Sequence, residues 1–108
     1  MKRGDIYLVR IDPSATGELS GFGPVVVVSP APFTQDSSLS IVLPITKGAN
    51  ITRKIKHGVT ITGTETHGVI RCDQPRVLDL NAREGRKIDE VAPAQIDEAL
   101  ARLAALLG

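Results

Sequence analysis

The segment His67-Gly68-Val69-Ile70-Arg71-Cys72-Asp73 holds the residue types best suited to chemistry in this chain. On an extended strand, side chains alternate between two faces. His67, Val69, Arg71 and Asp73 then share one face, and Gly68, Ile70 and Cys72 share the other. The second set is small or apolar and reads as core, with Cys72 behaving as a small hydrophobe rather than a nucleophile. The first set presents an imidazole, a guanidinium and a carboxylate side by side. Cutting an RNA phosphodiester without a metal requires an acceptor for the proton of the attacking 2′-OH. It also requires a cation for the charge that builds on the phosphorane and the leaving oxygen. Asp73 can be the acceptor and Arg71 the cation. Arg is a poor proton donor, with a pKa above about 12, and its planar fork matches phosphate geometry. The same spacing also describes an exposed i,i+2 ion pair on a strand edge, a kind of contact worth little.

Charge distribution adds a second feature. The formal net charge is only +1, yet no acidic residue falls between Asp36 and Glu65, where Lys47, Arg53, Lys54 and Lys56 lie with His57 beside them. Such a patch draws phosphate backbones, and it equally describes a solvated loop whose lysines keep the chain soluble. Tyr7, Phe22 and Phe33 are the only aromatics. Extended base stacking is therefore poorly supplied, and a nucleic acid would be held mainly by charge.

The elements that must position these groups follow from pattern. Ile6 to Val9, Val25 to Val28, Leu39 to Leu43, Val59 to Ile61, Val69 to Cys72 and Arg86 to Val91 are short Val- and Ile-containing runs bounded by turn residues, the signature of strands. Strands at this spacing predict a mainly β (α+β) small barrel or sandwich. The period then changes: Ile96, Leu100, Leu103 and Leu107 recur at helical spacing, Pro93 suits a first turn, and Gly108 follows the last apolar residue. This predicts an amphipathic C-terminal helix over Pro93 to Leu107. Helical turns are expected around Leu80 to Arg83 and Pro32 to Gln35. Two long polar connections, Asp12 to Gly23 and Thr46 to Lys56, are where function is expected to sit on so small a scaffold.

A length of 108 residues with 42% hydrophobic and 23% charged residues indicates one globular domain over residues 1–108. The longest apolar run, Val25 to Val28, is far short of the roughly 20 residues of a membrane span. The opening Met1-Lys2-Arg3-Gly4-Asp5 lacks an export signal's apolar stretch. Cys72 has no intrachain partner, and with only His57 and His67 available a structural zinc site lacks ligands. The expectation is a cytoplasmic domain without metal or other cofactor and without a membrane partner.

Ordered motifs over nearly the whole chain resemble the MazF/PemK toxin family of type II toxin-antitoxin systems, on its PemK (Kid-like) branch. These are Met1-Lys2-Arg3-Gly4-Asp5-Ile6-Tyr7, Asp12-Pro13, Pro24-Val25-Val26-Val27-Val28-Ser29-Pro30, Leu43-Pro44-Ile45-Thr46 and Gly68-Val69-Ile70-Arg71-Cys72-Asp73-Gln74-Pro75-Arg76. The resemblance implies a small SH3-like barrel of the MazF/PemK/CcdB type. It also implies a homodimeric, sequence-specific, metal-independent endoribonuclease (an mRNA interferase) that cuts single-stranded RNA. The implied partner is a cognate antitoxin with an acidic, disordered tail, operator DNA being reached only through that antitoxin. Carried over by position, it makes Asp73 the proton acceptor and Arg71 the transition-state cation, has Thr46 help bind the scissile phosphate, and has Glu18 support the site. Lys47, Arg53, Lys54, Lys56 and His57 would contact substrate. So would His67, roughly 13 Å along the strand from Arg71 at 3.3 Å per residue, at a neighbouring nucleotide.

Two positions depart from the family pattern. It commonly reads Gly-His-Glu in the first loop and Arg-Pro before the valine strand, whereas this chain reads Thr16-Gly17-Glu18 and Gly23-Pro24. Cleavage would then lean on Arg71. Phe22 beside Gly23 is either a stacking platform or, as the reading favoured here, a hydrophobic pin for the loop. The departures also leave room for a non-cleaving barrel of the same superfamily, acting as a co-repressor with its antitoxin or as a gyrase inhibitor like the CcdB toxins. RNA cleavage in the presence of a chelator separates the two.

Overall fold

The run Val25 to Val28 is apolar without alternation because both faces of its strand are covered. Val26 and Val28 enter one cluster with Ile6, Leu43, Ile45, Val59, Ile70 and Cys72, whereas Val25 and Val27 enter another with Tyr7, Val9, Val42, Leu78 and Leu80. A strand buried on two sides reads as a continuous hydrophobic run. The computed structural model describes residues 1–10, 21–32, 37–47 and 57–108. Seven strands and one helix follow in chain order: β1 (Asp5–Arg10), β2 (Phe22–Val27), β3 (Leu39–Thr46), β4 (Gly58–Thr60), β5 (Val69–Arg71), β6 (Arg76–Asp79), β7 (Arg86–Glu90) and α1 (Pro93–Leu107). All pairings are antiparallel, in the order β4-β5-β3-β2-β1-β7, with β6 also on β3. The expected barrel-type β protein with a closing helix is what forms.

Helix α1 begins with Pro93 in its first turn and ends at Gly108, as its sequence dictates. It lays Ile96 and Ala99, flanked by Leu100 and Leu103, on the first cluster. Leu107 is not part of that stripe: it is 77% exposed, one turn past the end of the sheet-facing contacts, and Ala99 takes the buried place. The expected turn at Leu80 to Arg83 is present, with the Arg83 amide donating to the Asp79 carbonyl at 3.1 Å and the Ala82 amide to Asp79 Oδ1 at 3.1 Å. The Pro32 to Gln35 turn and most of both long connections lie outside the described residues.

One edge of β3 carries both β5 and β6, and the ladder between them is interrupted. Ile45 lies opposite Ile70 and Val42 opposite Arg76, so three steps along β3 face six along the other segment, and three residues are looped out. Such insertions bend a strand and re-aim its side chains. The Gln74 amide closes the turn on the Arg71 carbonyl at 3.3 Å, and Pro75 has no N–H to lose from the ladder. Strand β6 itself was not among the expected strands.

At the other end of the sheet Asp5 is buried at 2% exposure. Its Oδ2 accepts from the Lys2 amide at 3.0 Å, and Lys87 Nζ of β7 lies 3.3 Å from Oδ1. Burial alone would push this carboxyl up. The Lys2 amide and the Lys87 ammonium more than offset it and leave it below the usual range.

Candidate active site

Strand β5 is only three residues long and is held from both sides. Val69 pairs with Thr46 of β3 and Thr60 of β4, Ile70 with Ile45 and Val59, and Arg71 with Gly58. Its entry is set by Gly68, which adopts φ +149°. A Cβ there would fall 2.7 Å from the Thr46 carbonyl oxygen and 2.9 Å from Ile45 Cγ2. Only glycine allows so close a backbone approach at that angle. The regular alternation ends at this residue, so His67 is exposed and outside β5. Val69, expected on the presented face, is instead buried at 4% exposure. Ahead of it, the 61–68 connection is anchored by the Thr66 amide on Asp89 Oδ2 at 3.1 Å and by Gln95 of α1 on the Thr62 backbone.

Arg71 closes β5 and Asp73 sits on the looped-out turn that follows. Arg71 Nε donates to Asp73 Oδ1 at 3.0 Å and Nη2 to Oδ2 at 2.9 Å, a two-pronged fork, with side-chain exposures of 26% and 34%. The Arg71 hydrogen bonds hold the Asp73 carboxyl below the usual range, helped by the charges of Arg71 and His57, and the same bonds push Arg71 up. His57 lies just before β4, its carbonyl accepting from the Cys72 amide at 3.1 Å. Cys72 is buried on the core side as expected, and burial pushes its thiol up. Thr46, half-buried, ends β3, and the exposed Lys47 follows it.

The structure therefore gathers Arg71, Asp73, His57, Thr46 and Lys47 around the β3–β5–β4 end of the sheet. Glu18, Arg53, Lys54 and Lys56 lie outside the described residues. Gly23 is a buried β2 residue opposite Val9. Half-buried Phe22 lies under the Arg10 guanidinium, 4.7 Å from ring centroid to Cζ. One residue absent from the sequence-derived set belongs to the same neighbourhood: Arg76, exposed at the start of β6. The buried Leu78 and Leu80 at a spacing of two were the signal for its strand.

A guanidinium forked onto a carboxylate thus stands at a bulge on one end of a small antiparallel sheet with a closing helix, a pair that can bind a phosphate and accept a proton. Residues 2–107 match the family described as PemK-like, MazF-like toxin of type II toxin-antitoxin system, and the chain belongs to that family. It is 41% identical to the endoribonuclease PemK of Escherichia coli over 99% of this chain and 82% of that protein. A crystal structure of MazF from Deinococcus radiodurans superposes with TM-score 0.82 at 27% identity, over 100% of this chain and 96% of that one. The MazE-MazF structure from the same organism gives TM-score 0.81 at 24% identity, over 100% and 95%, a likeness of fold.

Proposed function

We propose that this chain is an endoribonuclease toxin that cuts single-stranded RNA without a metal, and that Arg71 and Asp73 carry the chemistry. The observation that carries the reading is the Arg71–Asp73 fork, both side chains partly exposed and directed at one another. An exposed ion pair is worth about 0–1 kcal/mol, so a phosphate can take the Arg71 fork at little cost. Asp73 is then freed to accept the 2′-OH proton. The 2′ oxygen attacks phosphorus, the bond to the 5′ oxygen breaks, and that oxygen takes a proton from water. The products are a 2′,3′-cyclic phosphate and a free 5′-OH. Arg71 stabilises the phosphorane charge, Thr46 helps hold the phosphate, and the Lys47 and His57 end of the sheet contributes attraction. The family's structures with antitoxin support an antitoxin partner for this chain, and the homodimer is part of the same reading.

The experiment is cleavage of RNA by purified protein in the presence of a chelator, with product ends sequenced and light scattering on the same preparation. Cyclic-phosphate ends, loss of cleavage in Arg71→Ala and Asp73→Asn, and a mass near twice 11.5 kDa are expected. Variants cutting as fast as the parent would remove the catalytic assignment. A mass near 11.5 kDa at micromolar concentration would remove the dimer.

A further inference from the structure

Antiparallel partners share a face of the sheet, as do residues two apart on a strand. Thr46 is opposite Val69, and Arg71 lies two residues beyond Val69 on β5, so Arg71 stands on the Thr46 face. Val42, four residues before Thr46 on β3, is opposite Arg76 and brings it to that same face. Arg71 comes one step after the Ile45–Ile70 pair, level with Pro44, and Arg76 is level with Val42. Two residues of β3 separate them, about 7 Å, close to the spacing of adjacent phosphates in an extended single strand.

The two cations are not in the same condition. Both prongs of Arg71 are engaged by Asp73. Arg76 is exposed, and its side chain makes no hydrogen bond or ion pair with the described residues. The one acid of its own strand, Asp79, pairs with Leu39 and so stands on the opposite face, where it accepts from Ser38 Oγ and the Ala82 amide. The sheet face thus carries two guanidiniums two β3 residues apart, Arg71 engaged by Asp73 and Arg76 open.

We propose that Arg76 binds the phosphate adjacent to the scissile one, as the second cation of the substrate track. This rests on the ribonuclease reading and adds a substrate-binding residue to it. Arg76 offers the first handle to an incoming strand, and the register then brings the next phosphate to Arg71, where it displaces Asp73 from the fork.

The test uses an RNA oligonucleotide spanning the mapped cleavage site, with a 2′-deoxy sugar at the attacking position so that it binds without being cut. Its affinity for the intact protein is measured as salt is varied. Arg76→Gln should weaken binding several-fold at low salt and reduce the log-log salt slope by about 0.7, the value for one lost contact to a single strand. A neutral methylphosphonate at one of the two linkages flanking the scissile one should cause the same loss in the parent, and no further loss in Arg76→Gln. Arg76→Lys, which keeps the positive charge, should restore the slope. An unchanged affinity and slope in Arg76→Gln, or a loss that adds fully to that of every methylphosphonate, overturns the assignment while leaving the nuclease reading intact. A parent protein that does not bind the oligonucleotide overturns both.

Discussion

In the proposed reaction Asp73 acts as a base, yet in the free protein its partner makes it a weak one. The Arg71 fork, aided by the His57 charge, holds the carboxyl below its usual range, near 3.9 for an unperturbed Asp. The sign matters for stability. A carboxyl lowered on folding contributes stability above its unfolded value and loses it as the pH falls through the folded value. For a pair this exposed the contribution is small. Removing a positioned electrostatic donor from a transition state, by contrast, typically costs about 10²–10³ in rate. On the proposed mechanism Arg71 should therefore matter far more to catalysis than to folding, and Arg71→Lys, a point charge without the planar fork, should not replace it well. Carboxyl ¹³C NMR should show Asp73 titrating below the usual range in the free parent and moving upward when the 2′-deoxy oligonucleotide is bound. Arg71→Gln should show the higher value without RNA. A titration unmoved by the oligonucleotide would mean that Arg71 never leaves Asp73, and one unmoved by Arg71→Gln would mean that the fork is not what lowers it.

At the scale of elements, the three-residue β5 keeps its place through Gly68 and two flanking strands. Gly68→Ala forces a Cβ against the Thr46 carbonyl at a φ that other residues rarely adopt, and strain of this kind costs about 1–3 kcal/mol. Because Thr46 and Arg71 both depend on the β3–β5 register, the variant should lose cleavage beyond its loss of folded protein. A urea midpoint and a rate normalised to folded fraction, both equal to the parent's, would show that Gly68 positions nothing. The elements legible in the sequence were those with unbroken physical signals: the valine run buried on two faces, and the helix with Pro93 and Gly108 at its ends. Strand β6 was hard to read, because it follows Pro75 and exposes Arg76, Val77 and Asp79 on an edge, which leaves the Leu78–Leu80 spacing as its signal. The period-two reading of His67 to Asp73 stopped at Gly68 on one side and at the looped-out turn on the other. Arg71 and Asp73 met regardless, since two residues apart on a turn is as close as two apart on a strand. Arg76 escaped because its face is set by pairing with β3, which no local pattern encodes.

For the molecule as a whole, the two apolar clusters lie on opposite sides of strands β1 to β3, so the sheet can separate only if both are opened. The charge at its β1–β7 boundary is tied to that event. Asp5 is buried, whereas its partner Lys87 on β7 is 41% exposed in its side chain. In the unfolded chain Asp5 is an ordinary carboxyl, and in the folded one it lies below that, despite a burial that by itself would raise it. By the same linkage, its stabilisation is complete above about pH 4–5 and is withdrawn as the pH falls through the folded value. Asp5→Asn keeps the shape and removes the charge, so the Lys2 N–H donates to a weaker acceptor and Lys87 loses its buried counter-ion. A hydrogen bond to a charged group is worth about 1.5–3 kcal/mol, so the variant should be less stable by an amount of that order at pH 7. The gap should narrow as both proteins are titrated below about pH 4, because the parent's carboxyl is then being neutralised as well. Urea midpoints of parent and variant across pH 3–7 measure this, and a gap that stays constant down to pH 3 would assign the loss to packing rather than to the carboxylate.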